Sequence, residues 1–179
     1  PAWMHYTYSW GRFGRHIVQF EKNGEHFKYC WRTDARAAIY SAYDDQYLYL
    51  AIRCEDDDLV SSGKDGDRLE IKLNPAVGEV KGTKSYVFEM RRRKLVGPDG
   101  IRTASKRRKT QSYHVKDQKI TIWTSEIAIP INGLNARPGS AMGFDVIWHD
   151  ADRDGKETVT GTWRWAGRST SLGSLFFGK

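Results

Sequence analysis

The stretch Tyr47–Cys54 reads YLYLAIRC, and its strict alternation of apolar and more polar residues decides the fold. Successive side chains of a β-strand point to opposite faces of the sheet, so every second residue from Leu48 onward would share one buried face. Ile120–Ile129 also alternates, with a change of phase near Thr124 that we interpret as a β-bulge. The same period of two recurs in Arg68–Leu73, Ser85–Arg92, Met142–His149, Thr158–Trp165 and Leu172–Phe177.

Residues with turn chemistry separate these strands, namely Asp44-Asp45, Gly97–Gly100, Pro138-Gly139 and Asp154-Gly155. Short strands at hairpin spacing, with few helical patterns, are typical of an antiparallel β-sandwich. We therefore predict an all-β fold of two packed sheets, of the jelly-roll or immunoglobulin-like kind. We expect one domain over residues 1–179, in which residues 1–34 form an irregular, aromatic-rich N-terminal segment.

The composition excludes several classes of protein. The chain has 179 residues, of which 39% are hydrophobic and 28% charged, and this suits one folded domain rather than a disordered chain. No apolar run approaches the roughly 20 residues that span a membrane, so we expect no membrane partner. The chain also lacks a glycine-rich phosphate loop, which argues against a nucleotide-binding fold.

Positive charge is concentrated in residues 81–119. This stretch holds thirteen Lys and Arg against three acidic residues, whereas the whole chain has a net charge of +7. Such a patch attracts polyanions, for example acidic polysaccharides. The alternative is a solvated hairpin whose basic side chains keep a sheet edge soluble. For an acidic glycan, Arg91, Arg93 and Arg107 are the candidate ligands, because guanidinium groups bind carboxylates and sulfates with paired hydrogen bonds. The stretch lacks interleaved aromatic residues and a recognition helix, so we do not expect nucleic acid as a partner.

Residues 149–157 read HDADRDGKE and form the sharpest local motif. Asp150, Asp152 and Asp154 would crowd three carboxylates onto one loop, and a hard cation such as Ca²⁺ would relieve their repulsion. A solvated acidic turn, balanced by neighbouring basic residues, is the alternative. A second acidic run, Glu55–Asp58, follows a predicted strand and could supply further ligands.

Tryptophan is the other candidate for ligand binding, with seven residues in the chain. An exposed indole covers the apolar face of a sugar ring, while neighbouring polar groups bind its hydroxyls. Core packing is the commoner role, but Trp163 and Trp165 share one strand parity, and we select them as candidates to line a sugar-binding groove. Signals for catalysis are weak. Glu70 and Glu126 lie in predicted strands, yet no motif joins them as a glycosidase pair, so we expect no enzyme activity.

The order of motifs along the chain resembles a known family. The motifs are Asp44–Ile52, Glu55-Asp56, Gly66–Ile71, Glu126–Pro130, Gly143–Val146, Asp150–Asp154, Trp163 and Gly173–Leu175. Over residues 35–178 they resemble family 9 carbohydrate-binding modules and the related DOMON-like sandwiches. The resemblance implies a β-sandwich with structural Ca²⁺ that holds a sugar between aromatic side chains and is not catalytic. One of those aromatics would fall in the loop Ser61–Gly66, which contains none.

The resemblance also implies a setting for the protein. Such modules are appended to secreted bacterial enzymes that degrade polysaccharides. We therefore expect a polysaccharide or oligosaccharide partner, an attached catalytic domain, a monomeric module and an extracellular or periplasmic location. The two cysteines, Cys30 and Cys54, fit either one disulfide or two buried thiols. An oxidising location favours the Cys30–Cys54 disulfide.

A haem domain is the alternative function. Some DOMON-like relatives hold b-type haem between methionine and histidine and transfer electrons. The candidate ligands here would be Met4, Met90 or Met142 with His114 or His149. The methionines at positions 90 and 142 fall on apolar strand faces, where core packing is the commoner role.

Overall fold

The computed structural model describes residues 18–22, 25–29, 35–56, 60, 66–91, 94–111, 119–134, 136–154, 157–164 and 172–177. Within these ranges, side chains are described from Ile39 to Ala151 and from Leu172 to Phe177. The regular elements of this part of the chain are twelve β-strands: β1 (Val18–Lys22), β2 (Glu25–Tyr29), β3 (Ala35–Tyr43), β4 (Tyr47–Asp56), β5 (Arg68–Asn74), β6 (Lys84–Arg91), β7 (Lys94–Val96), β8 (Arg102–Gln111), β9 (Lys119–Pro130), β10 (Ala141–Asp154), β11 (Glu157–Arg164) and β12 (Gly173–Phe176).

The strands form two antiparallel sheets. The larger, eight-stranded sheet has the order β2-β1-β11-β10-β5-β6-β7, and β12 also pairs with β10. The four-stranded sheet has the order β3-β4-β9-β8. Apolar side chains from both sheets form one buried cluster, which confirms the predicted all-β sandwich of two antiparallel sheets. Within the described ranges, no helix is long and apolar enough to cross a membrane.

Alternation along β4 determines which face of the four-stranded sheet points inward. The four even-numbered residues from Leu48 to Cys54 are buried, whereas the residues between them are half-buried. Burial of a leucine or isoleucine side chain stabilises a fold by about 1.5–3 kcal/mol, so turning this strand over would be costly. Trp123 of β9 and Trp148 of β10 meet across the core with ring centroids 5.2 Å apart. These two side chains link the sheets.

One end of β9 is buried on both faces. The pairing of β9 with β4 is continuous from Thr121 to Pro130, so the β-bulge expected near Thr124 is not present there. Ile122 and Trp123 are nevertheless both buried. Neighbouring residues of a strand point to opposite faces, so the change of phase in the sequence reflects cover on both sides of the sheet rather than a bulge.

The turn Gly97–Gly100 joins the two sheets. The strands on either side of this turn do not form a hairpin with each other, because β7 pairs with β6 while β8 pairs with β9. The backbone N–H of Leu95 in β7 donates to Oγ of Ser105 in β8 at 3.1 Å. Oγ1 of Thr103 donates to the carbonyl of Leu95 at 3.0 Å. The basic strand β8 therefore closes one side of the sandwich by side-chain hydrogen bonds to the edge of the other sheet.

Two described segments of the N-terminal part of the chain form strands. Residues 1–34 contain β1 and β2, which pair with each other, and β1 also pairs with β11. The expectation of an irregular segment is therefore wrong for Val18–Lys22 and Glu25–Tyr29. Neither strand carries a long apolar alternation, and β11, which pairs with β1, is distant in sequence, so a local pattern gave little signal.

Candidate functional site

Three buried carboxylates come together from three parts of the chain. Asp56 is the last residue of β4, Asp67 directly precedes β5, and Asp150 lies on β10. One oxygen of each side chain lies within 4.8 Å of the other two, and the residues are only 1–2% exposed. Aspartate is almost never fully buried unless it is paired. We call this group the acidic cluster.

Asp67 is the most firmly held member of the acidic cluster. Its Oδ2 accepts the backbone N–H of Val60 at 2.6 Å, and its Oδ1 accepts the N–H of Ala151 at 2.8 Å. Its own N–H donates to the carbonyl of Val60 at 2.8 Å, and its carbonyl accepts the N–H of Met90 at 3.2 Å. One residue thus connects the segment before β5 to β6 and β10, and this fixes the geometry of the cluster.

The donor set of the acidic cluster suits a hard cation. Every candidate ligand atom is a carboxylate oxygen, the type that Ca²⁺ prefers. Three negative charges at this separation repel one another, and a divalent cation between them would replace repulsion by attraction. The indole N–H of Trp148 donates to Oδ1 of Asp150 at 3.3 Å and orients that carboxylate. The residues present therefore fit a calcium ion.

The acidic cluster overlaps only partly with the ligands expected from the sequence. Asp150 was expected, and Asp56 belongs to the second acidic run. Asp152 and Asp154 lie on β10, which extends to Asp154, so these residues belong to a strand rather than a loop. Their side chains lie outside the described residues, and their role in binding calcium stays a prediction. Asp67 belongs to the motif Gly66–Ile71, but it gave no signal for metal binding, because a single aspartate before a strand is common.

A second polar cluster, the Glu70 patch, lies on the outer face of the eight-stranded sheet. Glu70 of β5 accepts a hydrogen bond from Oγ of Ser85 in β6 at 2.5 Å and pairs with Nζ of Lys72 at 3.3 Å. Its other oxygen lies 3.2 Å from Nε2 of His149 in β10. The four side chains come from three neighbouring strands, so the sheet register holds them in place.

The charges of the Glu70 patch are set by its own contacts. Burial alone would raise the pKa of Glu70, but hydrogen bonds from Ser85 and His149 and the charge of Lys72 outweigh burial and hold this pKa below its ordinary value. Burial lowers the pKa of His149, and the bond to Glu70 offsets part of that shift. At neutral pH the patch therefore combines an ionised carboxylate, an ammonium group and an uncharged imidazole.

The Glu70 patch lies at the border between a covered and an open part of the sheet. The register places Asp145 and Ile147 of β10 on the same face as the patch, and both are buried. Ser85 and Val87 of β6, on the same face, are exposed. A ligand could therefore approach from the side of β6 and reach polar groups that are partly shielded from water.

The arginines selected from the sequence lie in different sheets. Arg91, at the end of β6, is exposed and forms an ion pair with Glu89 at 2.8 Å. Arg107 lies on β8 in the four-stranded sheet, half-buried and opposite Trp123 in the register. Arg93 lies outside the described residues. Their joint role in binding an anionic glycan stays a prediction.

The tryptophans selected from the sequence are only partly described. Trp163 lies on β11 opposite Trp148, whose side chain is in the core. The side chain of Trp163 and all of Trp165 lie outside the described residues. Their assignment to a sugar-binding groove stays a prediction.

The arrangement of two carboxylates argues against a glycosidase. Glu70 lies on the outer face of the eight-stranded sheet, and Glu126 of β9 is exposed on the outer face of the four-stranded sheet. Packed sheets are about 10 Å apart, so outward-facing side chains lie further apart than that. Paired glycosidase carboxylates flank one bond at roughly 5–9.5 Å. These two residues therefore do not form such a pair.

Of the haem ligands considered above, those that the structure describes do not come together. Met90 and Met142 are buried in the core, whereas His149 lies on the outer face of the sheet in contact with Glu70. A haem iron needs both axial ligands on opposite sides of one ring plane, within bonding distance. Met4 and His114 lie outside the described residues.

Cys54 carries a free thiol. The residue is 2% exposed within the core, and the expected Cys30–Cys54 disulfide is not formed. Cys30 lies outside the described residues. Burial raises the pKa of Cys54 well above its ordinary value, and the nearby charges of Asp56 and Asp150 add to this shift. The thiol therefore behaves as a small apolar side chain of the core.

Comparisons with known proteins agree with this architecture. The model of the family described as "Carbohydrate family 9 binding domain-like" matches residues 19–173. Two solved structures of a family 9 carbohydrate-binding module from Caldicellulosiruptor kristjanssonii are similar. The complex with cellotriose has a TM-score of 0.52 at 16% identity and covers 94% of this chain and 87% of the other. The complex with glucose has a TM-score of 0.52 at 15% identity and covers 98% and 92%. Comparison with curated proteins gives no significant match.

The family match covers most of the chain, so the protein belongs to the carbohydrate family 9 binding domain-like family. It is a carbohydrate-binding module with a β-sandwich fold. Members of this class are generally not catalytic, which agrees with the separation of Glu70 and Glu126 on opposite faces of the sandwich.

Proposed function

We propose that this module binds the end of a neutral saccharide at the Glu70 patch. The observation that carries the proposal is the fixed carboxylate of Glu70, held by Ser85, Lys72 and His149 at 2.5–3.3 Å. Sugar hydroxyls both donate and accept hydrogen bonds, and recognition therefore favours rigid acceptors beside rigid donors. Because these groups are positioned before the ligand arrives, binding costs little side-chain entropy.

The solved relatives support a glucose-type ligand. The similar modules from Caldicellulosiruptor kristjanssonii were solved with cellotriose and with glucose. Both ligands end in a glucose unit, whose size suits a patch spanning three strands, roughly 10 Å across. A cello-oligosaccharide is therefore the first ligand to test.

Isothermal titration calorimetry with glucose and cellotriose tests the proposal. We expect Glu70→Gln to weaken binding at least tenfold, because the amide replaces an ionised acceptor by a weaker, partly donating group. The matched control is Glu126→Gln, which removes one carboxylate from the opposite face and should leave affinity unchanged. Equal affinity of the Glu70→Gln variant and the wild type would overturn the assignment of the site.

We propose further that the acidic cluster holds a structural calcium ion. The support is the burial of three carboxylates within 4.8 Å and the fixed position of Asp67. The ion would supply charge compensation and would stabilise the junction of β4, β5 and β10. The proposed role of the ion is structural and does not include contact with the sugar.

The natural setting of the module is also a proposal. We propose that it is a monomeric part of a secreted bacterial enzyme that degrades polysaccharides. Membership of the family supports this setting. We also propose that the target polysaccharide carries acidic groups, and the thirteen Lys and Arg of residues 81–119 support this part.

A further inference from the structure

The outer face of the four-stranded sheet is a second candidate surface, here called the tyrosine face. The core-facing residues of β4 are buried, so the residues between them lie outward, and the register extends this face across β9 and β8. The outward residues are Tyr47, Tyr49, Ala51 and Arg53 of β4, Thr124, Glu126, Ala128 and Pro130 of β9, and Arg102, Ala104, Lys106 and Arg108 of β8.

The aromatic part of the tyrosine face is held rigidly. The rings of Tyr47 and Tyr49 lie side by side with centroids 6.0 Å apart. The hydroxyl of Tyr49 donates to Oδ2 of Asp44 at 2.7 Å, while Oδ1 of Asp44 accepts the N–H groups of Gln46 and Tyr47 at 2.8 Å each. The guanidinium of Arg102 lies 5.2 Å from the centroid of the Tyr47 ring. A ligand would therefore meet aromatic rings that are already ordered.

Small side chains surround Glu126 in the middle of the tyrosine face. Ala51, Ala104 and Ala128 occupy neighbouring positions on the three strands, and Ala104 is exposed. The face is closed at its other end, where Ile120 and Ile122 are buried. The open part spans three strands, about 10 Å across. It forms a shallow platform between tyrosines on one side and basic residues on the other.

The charge of the tyrosine face favours an anion. Arg102, Lys106 and Arg108 are all exposed on the outer side of β8. Beside the tyrosines, the exposed Asp44 accepts the hydroxyl of Tyr49 at 2.7 Å. Of the carboxylates on the strands, Glu55 is held by Arg53 at 2.8 Å, and Glu126 is exposed between alanines. Positive charge therefore dominates along the β8 side of the platform.

We propose that the tyrosine face binds the interior of an acidic polysaccharide chain, on the side of the sandwich opposite the Glu70 patch. The rings of Tyr47 and Tyr49 would contact the apolar faces of sugar rings. Arg102, Lys106 and Arg108 would bind the uronate carboxylates or sulfates along the chain. The inference rests on the proposed acidic target and gives that target a defined surface.

Affinity electrophoresis and calorimetry with polygalacturonate test the proposal on the full chain. The double variant Lys106→Glu with Arg108→Glu should weaken polygalacturonate binding at least tenfold while cellotriose binding stays unchanged. The single variant Tyr47→Ser should have the same effect. Binding of the wild type should fall as salt rises, because exposed ion pairs are screened. The matched control is Lys84→Glu, which reverses one exposed charge on β6 of the other sheet and should have little effect.

The outcomes separate this inference from the proposed function. If the wild type binds no polygalacturonate and no sulfated glycan, the acidic target itself fails, and the tyrosine face fails with it. If it binds polygalacturonate but the substitutions at Lys106, Arg108 and Tyr47 weaken that binding no more than Lys84→Glu does, the acidic target stands and the tyrosine face is wrong. If Tyr47→Ser instead converts a dimer into a monomer in sedimentation velocity, the face serves a second copy of the chain, which also overturns the inference.

Discussion

Glu70 shows how a single residue can be tuned by its neighbours at the surface of a sheet. Its carboxylate contacts Ser85, Lys72 and His149, and its pKa lies below the ordinary value. A carboxylate with a depressed pKa in the folded state stabilises the fold fully above its unfolded pKa of 4.5. That contribution is lost as the pH falls through the lower, folded pKa. Glu70, which we assign to ligand binding, therefore also stabilises the fold against unfolding by acid.

We expect Glu70→Gln to reduce the free energy of unfolding by about 1 kcal/mol at pH 7, a value that allows for partial exposure. The difference from the wild type should shrink as the pH falls through the lowered pKa of Glu70, where the wild-type side chain itself becomes uncharged. Urea unfolding at several pH values measures both quantities. A difference that stays constant from pH 7 to pH 3 would mean that the charge of Glu70 is not what its neighbours stabilise.

At the residue scale, the sequence identified aspartates suited to metal binding, but it did not identify which of them meet in the fold. Asp150 was found because it stands in a dense acidic motif, and Asp56 because it lies in another. The role of Asp67 in the acidic cluster was recognised only in the structure, because it depends on hydrogen bonds from Val60 and Ala151, which lie 7 and 84 residues away. Contacts over such distances leave no local pattern in a single sequence.

At the scale of elements, β7 and β8 are joined by side-chain hydrogen bonds instead of strand pairing. Two polar side chains of β8, Thr103 and Ser105, bond both backbone groups of Leu95, which is buried at the edge of the other sheet. Edge strands present unpaired backbone groups, and here side chains satisfy them. The edges of the two sheets are thus joined without extending either ladder.

We expect Thr103→Val with Ser105→Ala to destabilise the fold by roughly 2–4 kcal/mol, because two buried backbone groups would each lose a partner. Urea unfolding measures the loss, and hydrogen exchange at the amide of Leu95 should become faster. Thr124→Val, an exposed substitution on the outer face of β9, is the control and should change stability little. Unchanged exchange at Leu95 in the double variant would show that the side chains do not close this edge.

Alternation predicted the strands that bury one apolar face and missed those that do not. β4 and β5 follow the predicted period almost residue by residue. β8 escaped notice because its sequence, RTASKRRKTQ, has no apolar face, and it is recruited by pairing with β9 and by bonds to β7. β1 pairs with β2 and with β11, so its place in the sheet depends on long-range register.

At the scale of the whole molecule, the sandwich separates three kinds of chemistry. The Glu70 patch and the tyrosine face lie on opposite outer faces, while the acidic cluster is buried at the end of β4, next to β5 and β10. A module built in this way could contact two parts of a glycan at once, which raises apparent affinity without any stronger single contact. The acidic cluster then matters for both faces, because it fixes strands that belong to both sheets.

The calcium proposal predicts a change in the stability of the entire fold. A ligand that binds only the folded state at 100 times its dissociation constant adds about 2.7 kcal/mol. For a chain of this size each kcal/mol shifts the melting temperature by about 2–4 °C. We therefore expect the melting temperature to rise by roughly 5–10 °C between excess chelator and saturating Ca²⁺, with a smaller effect of Mg²⁺, which demands stricter octahedral geometry. Asp56→Asn should abolish the rise, while Glu55→Gln, one residue away on the outer face, should keep it. A wild-type melting temperature that is the same with chelator and with Ca²⁺ would show that the acidic cluster holds no stabilising calcium ion.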